Sequence, residues 1–269
     1  MYVDIGTALA PGADPGISEE ELDALDERVA AAHERIAAGI RDDEFGYAAL
    51  SLPDRVDPDA LREAVEPVAD AEYVLTVGIG GSALGARTIT SGIVPDRADR
   101  HVVLDNVDPE NVERTLDRLP LAETAVNVVS KSGTTAETLA NFLVVREAME
   151  AAGVDWTERT IATTGPSGPL RALADEHDLP TRPVPEGGPG RFAALSAVGL
   201  VPAAILDGDI EGVLTGARAA RESLAPSLFE CPAYAYGATA YALDQRGAGV
   251  NAMMPYAESL ETYAEWFAQ

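Results

Sequence analysis

The residues best suited to chemistry are Ser130, Lys131, Ser132, Gly133, Thr134 and Thr135. They form a polar stretch between an almost wholly apolar, valine-rich run, Ala125 to Val129, and a helical pattern that begins at Ala136. Such a run suits a strand buried on both faces of a parallel sheet. Thr134 and Glu137 have the Ser/Thr-x-x-Glu spacing that predicts a capping box at the start of the helix. Hydroxyls, the amides of a helix start and one ammonium converge there, and a phosphate is the anion that such donors hold. The plain alternative is a polar strand-to-helix turn, in which Ser and Thr are common. Lys131 weighs against it, being the only lysine among 19 basic residues. A compact ammonium suits a phosphate or a developing oxyanion at such a turn.

A second loop, Gly78-Ile79-Gly80-Gly81-Ser82-Ala83, follows another apolar run, Tyr73 to Val77. It fits the loose Gly-x-Gly-x-x-Gly/Ala pattern of dinucleotide sites, and Asp105 ends the next predicted strand where a ribose-binding acid would sit. A nicotinamide or flavin enzyme is therefore one reading. Dinucleotide binding needs one glycine turn, however, whereas two hydroxyl-bearing loops facing each other suit a terminal phosphomonoester. Close strand–helix packing could account for the glycines alone, but not for Ser82, Ser130, Lys131 and Thr135 together.

The elements that must position these loops are predicted from periodicity. A Gly/Pro/Ala-rich leader over residues 1–16 precedes a helix capped by Ser18 and running to Gly39, and Asp57-Pro58 opens another that reaches about Val68. Strands at Tyr73–Val77, His101–Leu104, Ala125–Val129, Arg159–Thr163 and Thr181–Val184 then alternate with helices at Ser82–Thr90, Pro109–Leu119, Ala136–Ala151, Leu170–Ala174 and Arg191–Leu206. That alternation predicts an α/β fold with a doubly wound, parallel, five-stranded sheet. In the flavodoxin-like strand order, both loops open at the switch point between the first and third strands. Beyond Leu206 come helices near Asp209–Leu224 and Tyr234–Asp244, then a strand-like run Val250–Pro255. An amphipathic helix follows, with Leu260, Tyr263, Ala264 and Phe267 on one face and no obvious partner for that face. The expected division is an N-terminal helical segment over 1–68, a first α/β domain over 69–208, and linker helices plus the start of a second α/β domain over 209–269.

Composition narrows the function. The net charge of -26, from 45 acidic and 19 basic residues, argues against nucleic-acid binding and suits a fold adapted to high salt. The apolar run Phe192–Leu206 is shorter than the roughly 18 residues a spanning helix needs and is interrupted by Gly199 and Pro202. Met1-Tyr2-Val3-Asp4 has no basic or apolar leader character, so a cytoplasmic location is expected. Cys231 is alone, and His33, His101 and His177 lack metal-ligand spacing, so neither a disulfide nor a metal or other cofactor is expected.

The motifs carry a family resemblance. Val77-Gly78-Ile79-Gly80-Gly81-Ser82-Ala83-Leu84-Gly85 resembles the first motif of glucose-6-phosphate isomerases, and Val129 to Thr138 resembles their sugar-phosphate loop. Gly190-Arg191-Phe192 and the residues to Leu200 look like the family's Gly-Arg-Phe/Tyr-Ser helix start, and Met253-Met254-Pro255-Tyr256 with Trp266-Phe267-x-Gln269 completes the ordered matches. Two departures stand out: Pro189 replaces a glycine, and Ala193 replaces a serine, so that hydroxyl is lost. The resemblance implies a sugar isomerase fold and an aldose–ketose isomerase acting through a cis-enediolate in glycolysis and gluconeogenesis. It implies that Gly80, Gly81, Ser82, Ser130, Ser132, Thr134, Thr135 and Gly190 hold the sugar phosphate, with Lys131, Arg191 and Gln269 at the reacting end. A homodimer is implied for the full-length protein. The family's glutamate base, ring-opening histidine and C-terminal lysine all lie past the position of Gln269, so the chain is expected to be cut short and inactive by itself. A non-catalytic sugar-phosphate-binding module of the same fold is the alternative.

Overall fold

The structure, a computed structural model, describes residues 2–10 and 12–269. Ser18 caps the first helix, α1 (Glu19–Arg41), as its spacing predicts: its hydroxyl accepts from the Glu21 amide, and the Glu21 carboxylate accepts from the Ser18 amide. A one-turn helix, α2 (Leu52–Arg55), leads to α3 (Pro58–Val65), where Asp57 accepts from the amides of Asp59 and Ala60. The leader is less plain than its composition suggests. Residues Gly6–Ala8 form a 3-10 turn, Leu9 bridges to Ile17, and the Ile17 side chain is wholly buried; Met1 and Pro11 lie outside the described residues.

The alternating core follows: β1 (Tyr73–Val77), α4 (Leu84–Ile93), β2 (His101–Leu104), α5 (Pro109–Arg118), β3 (Thr124–Ser130), α6 (Ala136–Ala151), β4 (Thr160–Thr164), α7 (Pro169–Glu176) and β5 (Thr181–Pro183). The strands pair in parallel in the order β2-β1-β3-β4-β5. This is the flavodoxin-like order, with its switch point between β1 and β3. Every residue of β3 is buried, because helices cover both sheet faces. The two-residue side-chain period sends Leu75, Val77, Val126 and Val128 toward Phe142, Val145 and Met149 of α6 and Val112 of α5. Val74, Ala125 and Ile161 point the other way, onto α3 and the helix α8 (Ala197–Ile205) with its Leu200, Val201 and Ile205. Each such side chain contributes about 1.5–3 kcal/mol by leaving water, so the sheet is the rigid part that carries the loops.

Three expectations fail. The helix expected from Arg191 begins six residues later, because Ser196 caps it at the Val198 amide and Arg191 sits in a separate 3-10 turn, Gly190–Phe192. The run Val250–Pro255 is not a strand: among the described residues no strand pairs with it, and Val250 and Met254 are exposed. The last helix, expected to lack a partner, lies on α4. The intervening helices α9 (Ile210–Glu222) and α10 (Pro232–Asp244) return to the N-terminal segment. Arg218 donates to the Pro53 carbonyl, Arg28 lies 4.9 Å from the Tyr241 ring, and the Tyr234 hydroxyl is 3.1 Å from His33 Nδ1, a structural role for that histidine.

Candidate active site at the strand switch point

The loops after β1 and β3 stand side by side where the strand order reverses. Gly78 makes this approach possible, since a Cβ there would lie 3.0 Å from the Ser82 Cβ and 3.1 Å from the Val129 carbonyl oxygen. Ser130 ends β3 in a buried position, its hydroxyl 3.0 Å from that of Thr135. Its carbonyl accepts from the Thr164 hydroxyl at 2.8 Å, which ties the loop to β4. Gly133 takes a φ of +65°, which a residue with a side chain rarely adopts, and turns the chain sharply into α6.

The capping box expected from Thr134 and Glu137 does not form. Thr135 is the N-cap residue and makes no capping bond, while the Thr134 amide and hydroxyl both donate to the Ser132 hydroxyl, at 3.2 and 2.9 Å. The first amides of α6 therefore keep their donors for something else. The other helix opening on the crevice, α4, is likewise uncapped by any side chain, and a 3-10 turn, Gly80–Ser82, precedes it in place of the helix expected from Ser82. By contrast α5, which follows the edge strand β2, is capped by Asp108. Two free helix starts beside these hydroxyls form a positive, donor-rich patch in a chain of net charge -26.

The cationic residues reach this patch from two segments. Lys131 donates to the Gly188 carbonyl at 2.5 Å, which draws the loop 184–190 over the β3 loop. Arg191 follows within that loop's 3-10 turn, with its guanidinium exposed and 5.0 Å from the Phe192 ring. Gly81 lets the Arg191 backbone in, because a Cβ at Gly81 would lie 2.4 Å from the Arg191 amide nitrogen. Gly80, at φ +54°, faces Gln269 in the same way, with Nε2 2.6 Å from where a Cβ would be. Gln269 ends the helix α11 (Glu261–Ala268), which is held on α4 by two contacts: the Thr88 hydroxyl donates to the Thr262 carbonyl at 3.0 Å, and Arg87 pairs with Glu265 at 3.0 Å. Arg191, Phe192, Tyr263, Trp266, Phe267 and Gln269 line a cleft of about 360 Å³.

The structure thus gathers Gly80, Gly81, Lys131, Gly190, Arg191 and Gln269 around the two hydroxyl loops. Sequence reasoning missed the Gly188 carbonyl and the individual part of Trp266, whose indole donates to the Arg191 carbonyl at 3.1 Å. The glycine cluster at 187–190 was the available signal for the first. Two larger clefts are chemically unsuited to a sugar phosphate. One, between α5 and α6, is walled by Val107, Val112, Leu116 and Val144 with Glu113 and Asp117, and the other carries Asp43, Asp57 and Glu186 against Arg55 and Arg182. His101 begins the edge strand β2 with Nε2 2.9 Å from the Thr76 hydroxyl, and burial lowers its pKa to about 3, so the ring is a neutral packing group.

A parallel sheet in the order 2-1-3-4-5, presenting polar glycine-bearing loops at its switch point, defines a doubly wound α/β protein with its crevice at the carboxyl ends of the strands. The chain belongs to the phosphoglucose isomerase family, whose model matches residues 66–269. A probable glucose-6-phosphate isomerase of Haloarcula marismortui is 68% identical over 269 residues, covering 100% of this chain and 62% of that relative. The chain therefore spans about 62% of the length of this curated relative. The crystal structure of a hypothetical protein from Thermus thermophilus superposes with a TM-score of 0.79 at 35% identity, covering 92% of this chain and 60% of that one. A glucose-6-phosphate isomerase of Chlamydia trachomatis gives a TM-score of 0.69 at 26% identity, covering 82% and 44%.

Proposed function

We propose that this chain supplies the sugar-phosphate site of an isomerase that interconverts glucose 6-phosphate and fructose 6-phosphate. The observation that carries the reading is the uncapped start of α6 beside the Ser130 and Thr135 hydroxyls, with Lys131 on the same loop. The phosphate takes the α6 amides and the hydroxyls of Ser82, Ser130, Ser132, Thr134 and Thr135. Gly80 and Gly81 let Gln269 and the Gly190–Arg191 backbone come close to the β1 loop, and the sugar chain then runs toward Arg191 and Gln269.

The reaction moves a proton from C2 to C1 next to a carbonyl. It needs a placed carboxylate as base and a cation near the oxyanion of the enediolate. Arg191 fits the second need, since its guanidinium is permanently charged and exposed at the cleft. Among the described residues no carboxylate side chain lines that cleft: Glu265 is turned to Arg87, and Glu258 and Glu261 face solvent. The 269-residue chain is accordingly expected to bind the substrate without turning it over. A place in glycolysis and gluconeogenesis, a cytoplasmic location and a homodimeric full-length protein belong to the same proposal. Adaptation to high salt does too, in keeping with the Haloarcula relative. The dinucleotide reading loses its footing because Gln269 fills the space above Gly80 that a pyrophosphate would take.

Calorimetry tests the site. Ser130→Ala with Thr135→Ala should weaken glucose 6-phosphate binding by about 1.5–3 kcal/mol per lost charge-assisted bond. Unchanged affinity, or tighter binding of a dinucleotide, would overturn the assignment.

A further inference from the structure

Arg191 stands in an isolated 3-10 turn of three residues, Gly190–Phe192, closed by the Phe192 amide on the Pro189 carbonyl and the Ala193 amide on the Gly190 carbonyl, each at 3.0 Å. No side chain caps that turn. Its guanidinium is exposed over the Phe192 ring, and the held backbone fixes the point from which the side chain reaches the cleft. Two contacts from outside the turn hold it. On one side the bare Cα of Gly81 meets the Arg191 amide. On the other, the Trp266 indole N–H donates to the Arg191 carbonyl at 3.1 Å.

We infer that Trp266 is a positioning residue for Arg191, its indole fixing the turn from which the guanidinium meets the reacting end of the sugar. This rests on the isomerase reading above. The indole is itself well anchored. Its Nε1 lies over Gly85 of α4, 3.6 Å from where a Cβ would stand, and the Tyr263 ring packs edge-on with centroids 5.9 Å apart. The α4–α11 contacts through Thr88, Thr262, Arg87 and Glu265 set the height of the helix, so the ring nitrogen meets the carbonyl without rearrangement. An indole N–H turned toward protein needs an acceptor, and the one it has belongs to the residue that carries the cation. The Trp266 ring also lines the cleft, but its N–H is spent on the Arg191 carbonyl. Its effect is confined to how firmly Arg191 is placed, which counts most for charge that develops during the reaction.

The competing view is that Trp266 merely packs α11 onto α4. Trp266→Phe keeps a ring and removes the N–H, and two measurements on the 269-residue chain separate the views. The first is calorimetric affinity for glucose 6-phosphate and for a phosphorylated five-carbon aldonate, whose carboxylate stands where the enediolate charge forms. The aldonate should bind about fivefold to tenfold more weakly and glucose 6-phosphate less than about twofold more weakly. In an Arg191→Ala background the same substitution should change neither affinity. The second is hydrogen exchange, in which the amides of Phe192 and Ala193 should open faster while α4 and α8 keep their protection. Equal losses for both ligands, a loss that persists without Arg191, or unchanged exchange at the turn would overturn the inference. If the unsubstituted chain binds neither ligand, the isomerase reading itself fails, and the exchange measurement still decides whether Trp266 holds the turn.

Discussion

Gly80 and Gly81 show how one glycine pattern admits several tenants. Their spacing suits a dinucleotide turn, yet the room left by the missing side chains is taken by Gln269 and by the backbone of Arg191. Both tenants come from far along the chain. At the same scale, His101 shows a titratable group used for packing. Its folded pKa of about 3 lies below the ordinary value of 6.5, because burial and the nearby Arg87 disfavour its cation. Between those values the unfolded chain binds the extra proton. Stability from this residue is therefore full above about pH 6.5 and is lost as pH falls toward 3, with a slope of up to about 1.4 kcal/mol per pH unit. Carboxylates add their own acid sensitivity, so the measurement is a difference. His101→Gln should flatten the dependence of unfolding free energy on pH between about 6 and 4, and an unaltered slope would mean that the ring is protonated in the fold.

At the scale of elements, the two helices that open on the crevice lack side-chain caps, as do α2, α7, α10 and α11, whereas α1, α3, α5, α8 and α9 possess them. A missing cap costs about 0.5–2 kcal/mol, which a bound anion can return at the helix start. Thr135→Asp should therefore separate stability from binding. A carboxylate at this N-cap position would satisfy the free amides and raise the unfolding free energy by about 0.5–1 kcal/mol. It would also place negative charge where the phosphate belongs, and calorimetry should find sugar-phosphate affinity lowered by more than about tenfold. Retained affinity together with higher stability would move the phosphate away from α6.

For the whole molecule the dominant quantity is the charge of -26. Arginine–carboxylate pairs such as Arg35–Glu44, Arg55–Asp43 and Arg159–Asp70 stitch the surface together, but their carboxylates are largely exposed and each contributes little in water. With 45 acidic residues against 19 basic ones, most carboxylates have no basic partner of their own. Molar salt shortens the Debye length to about 3 Å, which weakens both the pairs and the far more numerous repulsions. The thermal midpoint should thus rise from dilute buffer into molar KCl. A flat or falling midpoint in a calorimetric scan would mean that the ion pairs outweigh the repulsion.

The order of strands and helices, the parallel class of the sheet and the position of the β3 loop were legible in the sequence, because burial on two faces writes continuous β-branched runs such as Thr124–Ser130 and amphipathic helices between them. The Ser18 box and the Asp57 cap were legible too, since their donors and acceptors lie within three residues. The same local rule failed at Thr134, where the loop turns through Gly133 and the hydroxyl bonds to Ser132 instead. Only the tertiary structure decided that Arg191 stands in its own turn, that Val250 to Pro255 finds no strand to pair with among the described residues, and that α11 lies on α4. It alone brought Trp266 to the Arg191 carbonyl and Gln269 to Gly80. Periodicity records which face of an element is buried. The partner that buries it is a matter of chain path, and contacts between residues so far apart along the chain leave no spacing to read.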